Sequence, residues 1–428
     1  MRSGFKGRIV PVNPKGGELF GLPVVRSLAD VSPPCELTVI VVRPDSILDV
    51  VSEAVASGHR NLLILPGGFA ESSAQGKARD RELRAIAQAH QLIVGGPNCA
   101  GTINLLDAQA PFAATFLRDM PRGGSVALVS QSGAIAEEVI ASSHSLGIPL
   151  GAVVSVGNAM HLGLTEYLEE LGGDAACNAI LLYAESFGDV GRFREVARRV
   201  GAQKPVVALV GGRTQPGRAA AFRHTGSDAL TDQQAEAFCV DCGMVRALSL
   251  RTLMLAGKAF GAQPRGIGRR VLVLSNSGGP GVLCTDQSAL AGLQLPELPE
   301  TLQTRLHDFL PAEAAVANPL DLLADAREER FGDTLIAALR ESATFDAILI
   351  VHVVPFMVDG GEVVKRLAEL CRGARVPILH AMMGTLEHKA QWMAAMEGVG
   401  VPMFDNVEDM AEAAGLLARY PSLRARSQ

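Results

Sequence analysis

The chain has 428 residues, of which 48% are apolar, 20% charged and only 4% aromatic, with a formal net charge of −6. That length exceeds one ordinary domain and suits two or three, each with its own core. The mild acidic balance offers no field for nucleic acid, no apolar run approaches the ~18 residues that span a bilayer, and the first ten residues lack the apolar core of a signal peptide, so a cytoplasmic enzyme is expected.

Short apolar runs alternate with helical patterns from end to end. Strands are predicted at 8–12, 37–42, 62–65, 92–95, 126–129, 179–183, 206–210, 271–274, 347–351 and 378–380. Strands separated by helices, with glycine or proline punctuation, read as βαβ units, so the fold class is α/β with doubly wound parallel sheets. Glycine- and proline-bearing stretches at 120–124 and 261–268 each precede a new buried strand, as linkers do. They divide the chain into three domains, 1–120, 121–263 and 268–422.

In the first domain several polar loops follow strands: Asn13-Pro14-Lys15, Arg43-Pro44, Gly67-Gly68-Phe69 and Gly96-Pro97-Asn98-Cys99. Loops at carboxyl strand ends are where ligands gather in such sheets, so these are expected to line one crevice. Cys99 could be a nucleophile, but no histidine is evident as its base, and a lining role is the better reading.

The second and third domains open alike. Val126-Ala-Leu-Val-Ser130-Gln131-Ser132-Gly133 and Val271-Leu-Val-Leu-Ser275-Asn276-Ser277-Gly278-Gly279-Pro280-Gly281 share one template of strand, Ser-x-Ser-Gly turn and helix, which suggests duplication of one module. Free N–H groups, hydroxyls and the positive end of a helix dipole make each turn a candidate anion site, against the alternative of a merely capped helix start. The candidate phosphate-binding residues are Ser130, Gln131, Ser132 and Gly133 in the first copy, and Asn276, Ser277, Gly278, Gly279 and Gly281 in the second.

Between the two turns lies Arg223-His224-Thr225-Gly226-Ser227, with Arg213 and Arg218 upstream. A neutral imidazole can attack phosphorus and carry the phosphoryl group when nearby donors stabilise its oxygens, so His224 is the candidate carrier; a surface or capping histidine is the competing reading. One ring nitrogen must then be held while the other attacks. Glu185, which ends the run at 179–183, is the best-placed carboxylate, with Asp228 and Glu137 as further candidates and a solvated glutamate as the alternative. Cys239 and Cys242 have zinc or redox spacing, but no second pair lies at ligand distance and both fall in a predicted helix at 232–242, so packing is the preferred reading. The seven cysteines, scattered and odd in number, argue against a disulfide framework. No G-x-x-x-x-G-K-[ST] loop is present, nor a G-x-G-x-x-G at the head of a βα unit, so any nucleotide must be held elsewhere.

Taken in order, the stretches 7–15, 96–101, 129–133, 157–158, 224–227, 276–281 and 318–322 resemble the NDP-forming acyl-CoA synthetases, which include ADP-forming acetate–CoA ligase, and more distantly the α subunit of succinyl-CoA synthetase. The resemblance runs from about Phe5 to Tyr420. It implies a Rossmann-like CoA-binding domain, lacking here the family's opening βα unit, followed by two flavodoxin-like ligase domains. It implies that His224 moves phosphate between an acyl phosphate and ADP, that Glu185 orients the imidazole, and that the two Ser-x-Ser-Gly turns cradle the phosphohistidine. CoA would lie along Lys15, Arg43, Pro44, Gly67, Pro97, Asn98 and Cys99. ATP or ADP with Mg2+ would be held by a separate ATP-grasp β-type subunit, in a hetero- or homo-oligomer. A catalytically silent acyl-CoA-binding or regulatory protein is the alternative, and a Rossmann-type oxidoreductase, without its dinucleotide fingerprint, a weaker one.

Overall fold

A computed structural model describes residues 4–225, 230–384 and 387–427, with the side chains of His224 and Thr225 outside that description. The chain forms two compact units, Met1–His144 with Pro149–Cys242, and Ser145–Ile148 with Gly243–Gln428.

The first unit begins with a short antiparallel pair, β1 (Glu18–Leu19) and β2 (Leu22–Pro23). A three-stranded parallel sheet follows in the order β3 (Thr38–Ile40), β4 (Asn61–Ile64), β5 (Ile93–Gly95). Its core joins Ile40, Leu62, Ile64 and Val94 to Ile47, Val51 and Leu83 of the two crossover helices. The expected strand at 8–12 does not form. A single bridge pairs Val12 with Val25, and Ile9 and Val12 stay 42% and 37% exposed, with no strand ladder along the run among the described residues.

The second sheet of this unit contains β6 (Gly101–Asn104), β7 (Phe112–Thr115), β8 (Val126–Ser130), β9 (Leu150–Ser155), β10 (Ala179–Ala184) and β11 (Val206–Val210), in the spatial order β11-β10-β8-β9-β6-β7. The first four of these are mutually parallel, and β6 and β7 extend the sheet antiparallel. The stretch at 112–116 is therefore mostly strand. So are residues 101–104, which precede the linker at 120–124 yet belong to the sheet that follows it.

The second unit contains β12 (Val245–Ala247) and a five-stranded parallel sheet: β13 (Val271–Ser275), β14 (Leu320–Asp321), β15 (Ala347–Val354), β16 (Ile378–Gly384) and β17 (Met403–Phe404), in the order β14-β13-β15-β16-β17. The long helix Val407–Ser427 buries Met410, Leu417 and Tyr420. Ranked by sequence, the strands of this sheet follow the order 2-1-3-4-5. The parallel strands β9-β8-β10-β11 follow 2-1-3-4. Both are flavodoxin-like windings, in which the order reverses beside the first strand and opens a crevice at the carboxyl ends. No described helix is long and apolar enough to cross a membrane.

Candidate active site

The two Ser-x-Ser-Gly turns sit at these reversal points and share their internal bonding. In the first, the Ser130 hydroxyl donates to the Ser132 carbonyl at 2.7 Å and accepts from the Ser132 amide at 3.1 Å. In the second, Ser275 does the same with Ser277 at 2.8 and 3.0 Å. Both inner serines are buried, so each hydroxyl folds its turn rather than facing a ligand. The turn then releases the helices Gly133–Leu146 and Gly278–Leu290, whose first amides lack intrahelical acceptors and carry the positive end of the dipole. Gly133 lies against the Ala100 methyl, since a Cβ added there would be 3.2 Å from it.

The residue between the serines has a different task from the one expected. The Gln131 carboxamide accepts from the amides of Glu185 and Ser186 and donates to the Ser186 carbonyl at 2.9 Å. Asn276 accepts from the Val353 amide and donates to its carbonyl, both at 2.8 Å. Each amide therefore spans the crevice from the first strand to the third and holds its width, so Gln131 and Asn276 position the turns instead of contacting an anion. Gly281 is also reassigned: it is buried, its amide donates to the Ser277 carbonyl at 3.1 Å, and it packs on Ser275. Asn276→Leu, which removes both bonds at a fully buried site, is expected to lower stability by about 2 kcal/mol in urea unfolding. A change within about 0.5 kcal/mol, typical of neutral surface substitutions, would show that the clamp carries no stability.

On the same edge of the first unit, Glu185 directly follows β10, with its Oε1 accepting from the Tyr183 hydroxyl at 3.1 Å. Burial first, and then the Glu185 charge, push the Tyr183 phenol up to about 12, so it stays a donor. Gly211, just past β11, is a neighbour of the glutamate: a Cβ there would make ordinary contact with Glu185 Cγ at 3.5 Å. The helix Gln215–Thr225, which follows β11, carries His224 in its last turn. The His224 side chain and Ser227 and Asp228 lie outside the described residues.

The loops of the first sheet converge beside the Gly133 turn. The Glu71 carboxylate accepts from the amides of Gly68 and Phe69 at 2.6 and 3.0 Å and from Asn158 Nδ2 at 2.6 Å. Asn158 in turn accepts from Asn98 Nδ2 at 3.2 Å. Burial raises the Glu71 carboxyl, but these donors together outweigh it and hold the group below the usual carboxylate range. Gly157, at φ +56°, must be glycine, because a Cβ there would be 2.3 Å from the Asn98 carbonyl oxygen. Met160 and Leu162 donate backbone bonds to Gly96 and Val94, so the stretch 157–162 bolts two sheets of this unit together. Glu71 was missed in the sequence because a glutamate in a glycine-rich loop looks solvated.

The structure thus brings Gly67, Pro97 and Asn98 into one network and sets Pro44 against Gly68, where a Cβ would be 2.8 Å away. The side chains of Lys15 and Arg43 are exposed and have no partner among the described residues. Cys99 departs from its expected place: it is 3% exposed beneath the loop, in contact with the Ile64 carbonyl, and burial pushes its thiol up to about 11. It packs the loop from below rather than lining a surface. Cys239 and Cys242 are both buried, the latter with its thiol pushed up to about 12 by burial. In the second unit, Asp321 Oδ2 stands 3.1 Å from the Cβ position of Gly278, an acidic neighbour to that helix start.

Three family models match in series: a CoA binding domain over residues 1–104, a succinyl-CoA ligase like flavodoxin domain over 123–260 and a ligase-CoA domain over 271–426. The chain is 32% identical over 419 residues to the α subunit of acetate–CoA ligase [ADP-forming] II of Pyrococcus furiosus, covering 96% of this chain and 90% of that one. It is 30% identical over 342 residues to 4-hydroxybutyrate–CoA ligase [ADP-forming] of Nitrosopumilus maritimus, of which the match covers only 49%. Among solved structures, the dinucleotide forming acetyl-coenzyme A synthetase 1 of Ca. Korarchaeum cryptofilum, in complex with phosphate and ADP, superposes with a TM-score of 0.92 at 29% identity, covering 100% of this chain and 91% of that one.

Proposed function

The chain belongs to the family of ADP-forming acyl-CoA ligase α subunits, and from that premise we propose that it is the α-type half of an acid–thiol ligase working through phospho-His224. Acyl-CoA and phosphate give acyl phosphate and free CoA. The imidazole of His224 attacks the phosphorus, the carboxylate leaves, and the phosphoryl group then passes from nitrogen to ADP; the synthetic direction runs these steps backwards. The ATP-grasp β-type partner holds the nucleotide and Mg2+. CoA lies along the loops at Arg43–Pro44, Gly67 and Pro97–Asn98. The histidine lies in the succinyl-CoA ligase like flavodoxin domain matched over 123–260, whose sheet also takes in β6 and β7.

The single observation that carries this reading is the duplicated turn, folded by its own inner serine and clamped by its own amide at the reversal point of each sheet. Such a turn presents helix N-terminal amides to phosphate without moving any side chain. In the first copy the turn adjoins the loop at 96–100, so acyl transfer and phosphoryl transfer have one crevice to share. Glu185, held by Tyr183, supports the imidazole. Large apolar side chains stand exposed at the carboxyl end of the second unit's sheet, Val282 and Leu283 after Gly281 and Phe356 and Met357 after β15, which suits a partner's docking.

Incubating the chain with acetyl-CoA and inorganic phosphate, or with ATP, Mg2+ and the ATP-grasp partner, should place an acid-labile, base-stable phosphate on the peptide containing His224. Peptide mass spectrometry reads it. Label that persists in His224→Ala would reassign the carrier.

A further inference from the structure

The second unit has a cleft remote from its Ser275–Gly281 turn. Three segments that precede strands border this open cleft, at 265–268 before β13, 345–346 before β15 and 375–377 before β16, with Pro421 of the last helix along one side. It lies at the amino ends of the strands, opposite the end where such sheets hold their reactants, and its volume is about 410 Å³. That is the size of sites that take small organic molecules. Phe345 and Val376, 1% and 7% exposed, pack beneath it as part of the core.

Its charge is unbalanced. The one carboxylate in the lining, Asp346, is occupied: Arg270 Nη2 donates to it at 2.7 Å, Arg270 Nε at 3.2 Å and the Arg270 amide at 2.9 Å. The Arg270 guanidinium beside it holds the carboxyl below its usual range, so the pair is internally neutral. Arg265 and Arg375 remain, both exposed and without an ion-pair or hydrogen-bond partner among the described residues. The wall between them is bare backbone. A Cβ on Gly268 would be 2.2 Å from Asp346 Oδ2, and one on Gly266, at φ +70°, 2.6 Å from the Leu417 carbonyl oxygen.

Two unpaired guanidinium forks beside a wall of bare backbone suit a ligand that carries an anionic oxygen cluster. We propose that this cleft binds a phosphorylated small molecule of nucleotide size, its phosphoryl group on Arg265 and Arg375, as a site separate from the reaction. The placement is independent of the ligase reading, because every lining residue lies at the end of the sheet away from the duplicated turn.

Calorimetric titration of the chain alone with AMP, which cannot donate a phosphoryl group to a histidine in the way ATP does, tests it. AMP is expected to bind with a stoichiometry of one, more tightly than inorganic phosphate, and progressively more weakly as salt is raised. The double variant R265A/R375A is expected to lose at least tenfold in AMP affinity, R265K/R375K to recover part of that loss, and R81A, an exposed arginine far from the cleft in sequence, to match the parent. Because both arginines are exposed, thermal melts of the variants should overlay that of the parent. AMP binding no tighter than inorganic phosphate, or an isotherm that R265A/R375A leaves unchanged, overturns the assignment.

Discussion

His224→Asn, assayed with the ATP-grasp partner, is expected to lose acyl-CoA formation by roughly 10^4-fold or more, because an amide nitrogen cannot become the phosphoryl carrier and no second nucleophile takes over a covalent step. Binding should survive. The loops proposed to hold CoA are braced by Glu71, Asn98 and Asn158, which bond to one another and to the loop backbone, so CoA affinity measured by calorimetry is expected to stay within about threefold of the parent. Glu185→Gln should fall between the two, with a loss on the order of 10^2-fold, since it keeps an acceptor for Tyr183 but not the charge that favours the cationic imidazole. Ligation by His224→Asn at a rate within tenfold of the parent would remove the covalent mechanism altogether.

The largest stability effect is expected from acid. His352 on β15 and His380 on β16 are fully buried, their rings 5.8 Å apart and 11° from parallel, with Phe331 at 5.1 Å from the first. All four ring nitrogens lack hydrogen-bond partners among the described residues. Burial, with a smaller contribution from His380, pushes His352 down to about 3, and burial pushes His380 down to about 4. Both folded values lie below the 6.5 of an unfolded histidine, so the unfolded chain takes up protons first. Stability is therefore complete above about pH 6.5 and is lost progressively as the pH falls towards the folded values, by on the order of 5 kcal/mol at pH 4 for the two together. Urea unfolding from pH 7 to pH 4 should show that slope in the parent and a much flatter one in H352L/H380L. Equal slopes in the two proteins would mean that other groups set the acid limit.

Most of the longer parallel strands were legible in the sequence because a strand buried on both faces reads as a continuous apolar run: 206–210 is matched to the residue, and 126–129, 179–183 and 271–274 each lengthen by one at the carboxyl end, whereas β9, buried throughout but interrupted by Gly151 and ending in Ser155, was not predicted. The duplicated Ser-x-Ser-Gly turn was legible for a similar reason, since its bonds run between neighbours in the chain. The antiparallel strands β6 and β7 were not, being four residues each and only partly buried. Conversely, the run at 8–12 had the pattern of a strand and pairs only through the single bridge of Val12 to Val25.

What the sequence by itself determined was local: which segments are apolar enough to be core strands, and which turn residues can close on themselves. Tertiary structure alone decided where polar side chains point. Gln131 and Asn276 follow strands as a ligand-binding residue would, yet the 2-1-3 winding puts the third strand beside the first, and its backbone claims their amides. Glu71 meets Asn158 across 87 positions of chain, and His352 meets His380 only because β15 and β16 are adjacent. A hydrogen bond or an unpaired buried nitrogen depends on distance in space, and distance along the chain carries no record of it.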